Sequence, residues 1–215
     1  MNKIILVLIS LSTCFMVGFA GYSKSSYLPM IGLKDLNSNN PEVSYDAGPY
    51  KQYYYYNDSM DLDSLMNHSD AVVEVSCLNY GKQTAYSILR NCKVKRIIKG
   101  ENIKKETHIY IYEPTYMDPY NVYPLVNGYI NMKIHHTYIL FLKKVNAPSS
   151  APSMYSNAYY LTSAQYGKYS QGHYEQTTQI NEGCRYKDIQ NHETILVDDK
   201  SVTLYNRILK SLEQL

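Results

Sequence analysis

Tryptophan is absent from this chain of 215 residues and phenylalanine occurs only three times, so the 25 tyrosines supply almost all of its aromatic surface. Tyrosine favours β-strands and carries a polar tip, which suits a β domain or an aromatic binding surface. An excess of either charge is also lacking, with 21 lysines and arginines against 19 aspartates and glutamates. Nucleic-acid binding usually needs a basic face, and we therefore expect no nucleic-acid partner.

The short motifs that mark common catalytic sites are missing as well. The sequence contains no P-loop, no GxGxxG and no GxSxG, and its four cysteines form no CxxC pair that would suggest structural zinc. Adjacent His135 and His136 point to opposite faces of an extended segment, so they do not readily chelate one ion. Glu113 and Asp118 are candidates for a carboxylate pair, but we expect both to face solvent. We predict no metal site, no cofactor and no enzymatic activity.

The N-terminal segment has the composition of a targeting sequence. Lys3 precedes an apolar run over residues 4–20, and the small residues Gly18 and Ala20 allow cleavage after Ala20. With its flanks, the run just reaches the length of an uncleaved span, and Leu-Ser-Thr-Cys at Cys14 resembles a bacterial lipid-attachment site. We predict a signal peptide or transmembrane anchor over residues 1–22. All three alternatives place the rest of the chain outside the cytoplasm, at the cell membrane or secreted.

Three cysteines lie beyond this segment, namely Cys77, Cys92 and Cys184. An oxidising compartment allows two of them to pair and leaves one over. We name Cys77 and Cys92 as the candidate disulfide. Three buried, unpaired thiols remain the alternative.

Composition divides the rest of the chain into three parts. Residues 23–60 mix Asn, Ser, Pro and Gly with a run of tyrosines and show no useful periodicity, so we predict an extracytoplasmic spacer. A folded domain is predicted over residues 61–170. Residues 171–215 are predicted as a C-terminal extension, which ends in an amphipathic helix over 201–215.

Alternation of apolar and polar residues predicts five strands in the domain, with a short helix before the first that Asp61 or Asp63 caps. The phase of the second strand slips near residues 96–98, which indicates a bulge. The predicted strands cover residues 71–78, 84–99, 107–113, 136–145 and 158–164.

A long loop with three prolines connects the third and fourth strands, over residues 114–133. Long loops on a β scaffold frequently carry function. We predict that four tyrosines of this loop contact a binding partner: Tyr116, Tyr120, Tyr123 and Tyr129.

Five stretches in order carry a resemblance: SDAVVEVSCL, VKRIIKG, THIYIYEP, YILFLKK and YYLTSAQYGKY. The set is similar to the small secreted or membrane-anchored β-barrel modules of Firmicutes, whose fold resembles the OB-like barrel of netrin and tissue-inhibitor-of-metalloproteinase domains. The similarity covers about residues 62–170. It implies a mainly-β fold, a small antiparallel OB-like barrel of about five strands, with a short helix before strand one and a C-terminal amphipathic helix.

The resemblance does not imply the inhibitors' mechanism. Those proteins present the free amine of an N-terminal cysteine to a target's zinc, and this chain has no cysteine at the predicted cleavage point. Fold alone does not fix function. We therefore expect a non-enzymatic binding module whose partner is an unknown extracytoplasmic protein or cell-envelope component. The alternatives are a protease-inhibitor-like module and an envelope enzyme with an unrecognised site.

Overall fold

Strands make up most of the regular structure in the computed structural model. It describes residues 12, 13, 16, 32–45, 60–84, 86–148, 150, 152–172, 175–177, 180–196 and 198–214. The strands are β1 Glu42–Ser44, β2 Ala71–Cys77, β3 Lys82–Gln83, β4 Ile88–Lys99, β5 His108–Glu113, β6 Val122–Pro124, β7 Thr137–Lys144, β8 Ala158–Leu161, β9 Lys168–Ser170, β10 Glu175–Thr177 and β11 His192–Ile195. The helices are α1 Leu36–Asn39, α2 Leu62–His68, α3 Ser153–Ser156, α4 Tyr186–Ile189 and α5 Asp199–Leu212.

Five of these strands form a closed barrel. Hydrogen bonds join them in the order β2, β4, β5, β8, β7, and β7 pairs with β2 to complete the ring. The structure thus confirms a mainly-β fold built on a five-stranded barrel, and the closed five-stranded ring fits the OB-like type.

The barrel is mixed, so the prediction of an antiparallel barrel is wrong in one pairing. Strands β5 and β8 run parallel, with Tyr110 beside Ala158 and Tyr112 beside Tyr160. Parallel neighbours need a long crossover connection, because a tight hairpin reverses the chain. Here the crossover is the whole of residues 114–157, which includes β7.

The long strand β4 has the predicted bulge. Lys99 lies opposite Val72, whereas Ile97 lies opposite Val73, so Ile98 is an extra residue on this strand. A second shift between the partners of Glu74 and Val75 leaves Lys95 as another. A bulge increases the local twist of a strand. The twist lets β4 bend, so that one 12-residue strand pairs with both β2 and β5.

Alternation along the strands fills the barrel interior with apolar side chains. In β2 the inward residues are Val73, Val75 and Cys77, all fully buried. Ile109 and Ile111 occupy the matching face of β5, as their alternation predicts.

A second apolar cluster lies at the end of the barrel where β4 begins and β5 ends. Three segments build this cluster, which we call the cap: residues 32–45, 114–133 and 180–196. Strand β1 of the cap pairs in parallel with β6 of the long loop. Residues 32–45, which belong to the predicted spacer over 23–60, thus pack in this cluster within the compact unit of residues 31–215. The assignment of 23–60 as an extracytoplasmic spacer stays a prediction.

A third cluster covers the outer face of β2 and β7. Asp61 caps the N-terminus of helix α2, and its carboxylate accepts a hydrogen bond from the Ser64 amide at 2.9 Å. Asp198 caps helix α5 in the same way. Their apolar faces pack against outward side chains of the sheet. The packed residues include Leu65, Val72, Phe141, Tyr169, Tyr205 and Ile208.

Within the described residues, no helix has the length and apolar character needed to cross a membrane. The predicted signal peptide or anchor over residues 1–22 falls outside that part of the chain, except for residues 12, 13 and 16.

Candidate functional site

The structure divides the four predicted contact tyrosines between core and surface. Tyr123 and Tyr129 are buried, with exposures of 0% and 1%. Tyr120 is 81% exposed, and Tyr116 is half-buried. The long loop therefore has two parts: a turn around Tyr120 that faces solvent, and a stretch over residues 123–132 that forms part of the core.

Beyond the short pairing of β6 with β1, side-chain hydrogen bonds hold the buried stretch in place. The Tyr129 hydroxyl donates to Glu113 Oε1 at 2.7 Å, and the Met132 amide donates to the same oxygen at 2.6 Å. The Tyr123 hydroxyl donates to Asn131 Oδ1 at 2.9 Å and accepts from the Asn131 amide. These bonds satisfy polar groups that would otherwise be buried without partners.

A fully buried ion pair lies where the barrel meets the cap. Arg90 of β4 and Glu113 of β5 are in direct contact, and neither side chain is exposed. Arg90 also donates to the carbonyl oxygens of Asn79 and Met132, both at 2.5 Å. The prediction that Glu113 faces solvent is wrong, because the alternation that turns Ile111 inward turns Glu113 inward too.

Electrostatic effects at this pair are large because water is excluded. Burial is the largest single effect on Arg90 and lowers its pKa, but the Glu113 carboxylate, together with Cys77 and Tyr129, raises the pKa of the guanidinium overall. Burial and the same carboxylate raise the pKa of Tyr129 well above its ordinary value. Tyr129 therefore stays protonated and donates its hydrogen bond.

A second buried ion pair joins β9 to β11. Lys168 Nζ lies 3.1 Å from Glu193 Oε1, and it donates to the Ile130 carbonyl at 2.7 Å. It also lies 4.7 Å from the centre of the Tyr129 ring. Burial raises the pKa of Glu193 although the nearby lysine lowers it. Both pairs are closed off from solvent, so we assign them to the packing of the cap on the barrel.

The exposed part of the long loop is an ordered turn. Asp118 Oδ1 accepts a hydrogen bond from the Tyr120 amide at 2.7 Å, and the Asp118 carbonyl accepts one from the Asn121 amide at 3.1 Å. Asn121 takes the left-handed conformation, with φ of 63°, which asparagine tolerates well. The turn thus holds Tyr120 at its tip.

Two further tyrosines flank this turn. The rings of Tyr86 and Tyr116 meet edge to face, with centroids 5.6 Å apart, and Tyr86 is 54% exposed. Gln83 fixes the loop beside them, because its amide bonds both the N–H and the carbonyl of Met117, at 3.0 and 2.8 Å.

We call Tyr86, Tyr116 and Tyr120 the tyrosine edge. Tyr86 is not among the predicted contact residues, because residue 86 falls within a predicted strand, whereas β4 begins at Ile88. The sequence does contain a pattern that favours a later start of this strand. The mostly polar run from Asn79 to Thr84 is typical of a turn longer than a tight hairpin.

The candidate disulfide residues are direct neighbours across two strands. Cys77 and Cys92 are opposite each other in the register of β2 and β4. The Leu78 amide bonds the Asn91 carbonyl at 3.0 Å, which makes Cys77 and Cys92 a non-hydrogen-bonded pair, the closer of the two types. A hydrogen bond with Cys92 lowers the pKa of Cys77, and the same bond raises that of Cys92.

The remaining candidates stay apart from one another. Cys184 lies in the cap, where burial raises its pKa. His135 is exposed and His136 is half-buried, and Asp118 serves the turn around Tyr120. Within the described ranges, no three side chains of His, Cys, Asp or Glu are grouped so that they could hold a metal ion.

Comparison with models of known protein families and with curated proteins finds no match to this sequence.

Proposed function

We propose that this chain is an extracytoplasmic, non-enzymatic binding module that presents the tyrosine edge to a protein of the cell envelope. The observation that carries the proposal is Tyr120, an aromatic side chain left 81% exposed on a turn that is itself fixed by hydrogen bonds. Large aromatic groups held on a rigid backbone bind with little loss of conformational freedom, and tyrosine is enriched at protein interfaces.

The location outside the cytoplasm rests on residues 1–22, as a cleaved signal or an uncleaved anchor. The OB-like barrel of the netrin and tissue-inhibitor type is the finer fold assignment that we propose. The topology supports this assignment, with β2, β4 and β5 as a meander and β8 inserted between β5 and β7. Barrels of this class commonly bind partners through their loops and open faces.

Hydrogen bonds to the rest of the domain hold the tyrosine edge in place before a partner binds. Gln83 fixes Met117, and the loop then continues into the buried stretch that contacts Glu113. A partner therefore meets a surface that is already ordered, so binding costs less ordering of loop and side chains. Tyr123 and Tyr129 support this surface from within the core and do not touch the partner.

A rigid exposed turn also favours a second function, insertion into the active site of an extracellular protease. Inhibitors of this kind present a fixed loop that changes little on binding. A panel of secreted metalloproteases, assayed with the purified protein, tests this function through potent inhibition that the Tyr120→Ala variant loses.

Site-specific photo-crosslinking in the producing cells tests the main proposal. A benzophenone amino acid is placed at position 120, and at position 206 as the control, since Asn206 is exposed on α5 away from the loop. We expect an adduct of discrete mass from position 120 only, which is lost when Tyr116→Ala is added. No adduct at 120, or equal adducts at both positions, would contradict the proposal.

A further inference from the structure

A cavity of about 570 Å³ opens between the cap and the end of the barrel. Most of its lining comes from three segments: the turn into α1 with the start of that helix, residues 131–135 after the buried stretch, and α4 with the residue that follows it. Its volume lies within the range of sites that take small organic molecules. The tyrosine edge does not contribute to it.

The charge that lines this cavity has one sign. Lys34, Lys133 and His135 are lining residues, and among the described residues that line it there is no carboxylate. Burial lowers the pKa of the neighbouring His136, and the positive charges of Lys133 and His135 lower it further. A cleft lined by charge of one sign concentrates its field and attracts the opposite charge.

The nearby carboxylates lie outside the lining of the cavity. Burial lowers the pKa of Lys133, whereas Glu193 raises it. Glu193 is itself paired with Lys168. Asp35 belongs to the turn beside Lys34 but does not line the cavity.

The inner wall of the cavity is apolar and rigid. Leu36, Met132 and Tyr186 line it, and each is at most 5% exposed. The Tyr186 hydroxyl donates to Asn131 Oδ1 at 3.1 Å, and the Asn131 side chain donates to the Met132 carbonyl at 3.3 Å. These bonds fix the wall before any ligand arrives, which is the usual condition of a small-molecule site.

We propose that this cavity binds a small organic anion that has an apolar body, such as an aromatic carboxylate or sulfonate. Lys34 and Lys133 contact the anionic group, and the face of Leu36 and Tyr186 packs against the body. A free inorganic anion uses only half of this arrangement and binds weakly. The inference is independent of the tyrosine edge, because it depends on different residues.

Two fluorescent probes of nearly the same shape test the charge requirement. Anilinonaphthalene sulfonate carries one negative charge, and N-phenyl-1-naphthylamine is its neutral counterpart. We expect saturable binding of the sulfonate to the folded protein, at least tenfold tighter than binding of the neutral probe. Binding of the sulfonate should weaken as salt is added, because salt screens the lysines.

Charge removal at the cavity locates the bound probe. We expect Lys34→Met combined with Lys133→Met to weaken sulfonate binding by at least roughly tenfold, because the loss of one charged hydrogen bond alone corresponds to about that factor. Lys210→Met is the matched control, because Lys210 is exposed on α5, and it should leave the affinity unchanged. Binding of the neutral probe should not change in either variant.

Two results would overturn the proposal: equal affinity for the two probes, or undiminished sulfonate binding in the double variant. The unfolding midpoint of each variant is measured in parallel, since dye binding to a loosened core would otherwise be misread. If the double variant does not fold, Lys34→Met alone decides, because Lys34 is exposed and its loss should still weaken binding of the sulfonate severalfold.

Discussion

Arg90 and Glu113 meet diagonally across paired strands at the end of the barrel, since Arg90 lies opposite Ile111 and Glu113 opposite Ile88, and both side chains are completely buried. Each is also bonded to the long loop, Arg90 through the Met132 carbonyl and Glu113 through the Met132 amide. The pair thus fixes the loop to the barrel at Met132, and Glu113 also holds Tyr129. This connection explains how a loop rich in proline and asparagine becomes part of the core.

Glu113→Gln should therefore destabilise the protein strongly. It leaves the Arg90 charge buried without a counter-charge, which typically costs about 3–5 kcal/mol. Urea unfolding measures the difference in the free energy of unfolding. Glu74→Gln is the matched control, since Glu74 pairs with Arg96 on partly exposed strand positions, where such pairs contribute about 0–1 kcal/mol. Equal losses in the two variants would contradict the assignment of Arg90 and Glu113 to the core.

Gly128 is predicted to resist substitution for a reason of space. It adopts φ of 77°, and a Cβ atom there would lie 1.7 Å from the Ile195 carbonyl oxygen. Gly183 has nearly the same φ, 75°, with nothing within 4 Å. Gly183→Ala should cost only the left-handed conformation, about 1–2 kcal/mol.

Gly128→Ala should cost about 3 kcal/mol more than this control, as overpacking against backbone does. The comparison is made from thermal unfolding of both variants. If the two glycines tolerate alanine equally well, the close packing of the long loop on β11 is wrong.

Local alternation predicts the barrel strands well, because each strand has one face in the core. The same rule, carried two residues further, places Glu113 inside, since Ile109 and Ile111 are already predicted to point inward. The expectation that a charged residue lies at the surface overrides the rule at this position. The partner Arg90 lies on a different strand, and one sequence does not show which charges meet.

Local sequence patterns do not predict the parallel pairing of β5 with β8 or the burial of the long loop. Strands β5 and β8 pair in parallel because the whole barrel closes, and the sequence of neither strand alone predicts this partner. In the loop, apolar Leu125, Ile130 and Met132 are separated by turn-forming residues and show no strand or helix period. Leu125 and Ile130 are buried against residues 32–45 and 180–196, and Met132 is buried against the barrel. No local pattern indicates that these distant segments meet.

The Cys77–Cys92 pair should form a disulfide when the protein folds under oxidising conditions. Opposite residues in a non-hydrogen-bonded pair lie within the Cα separation that a disulfide needs. We refold the reduced protein with oxidised glutathione, which accepts the two electrons and two protons that the thiols lose. Peptide mapping should then find Cys77 linked to Cys92, and Cys184 alkylatable after denaturation.

Closing a loop of roughly 15 residues should stabilise the protein by about 3 kcal/mol, and reduction should remove that stability. A Cys77→Ser variant is the control, because it should gain nothing from the oxidant. Recovery of all thiols in alkylatable form after refolding would show that the pair stays reduced.

Glu193 should make folding less favourable as pH rises. Burial raises the pKa of its carboxyl in the folded protein, while in the unfolded chain the pKa is about 4.3. The folded state therefore binds the proton more tightly, and the stability that this proton provides is lost as pH increases through the folded pKa. The free energy of unfolding of the wild type minus that of Glu193→Gln should fall as pH rises from about 4.3 towards neutrality. A difference that is constant or rises with pH would contradict this prediction.

The division of the long loop into a core stretch and an exposed turn underlies the proposed function. Amide hydrogen exchange, followed by mass spectrometry on peptides from both parts, tests it most directly. The Met132 amide donates to buried Glu113, so the peptide around residues 127–133 should exchange as slowly as the barrel strands. The peptide around Tyr120 should exchange far faster. If residues 127–133 exchange as fast as the turn, the loop is a surface element throughout, and the rigid support proposed for the tyrosine edge does not exist.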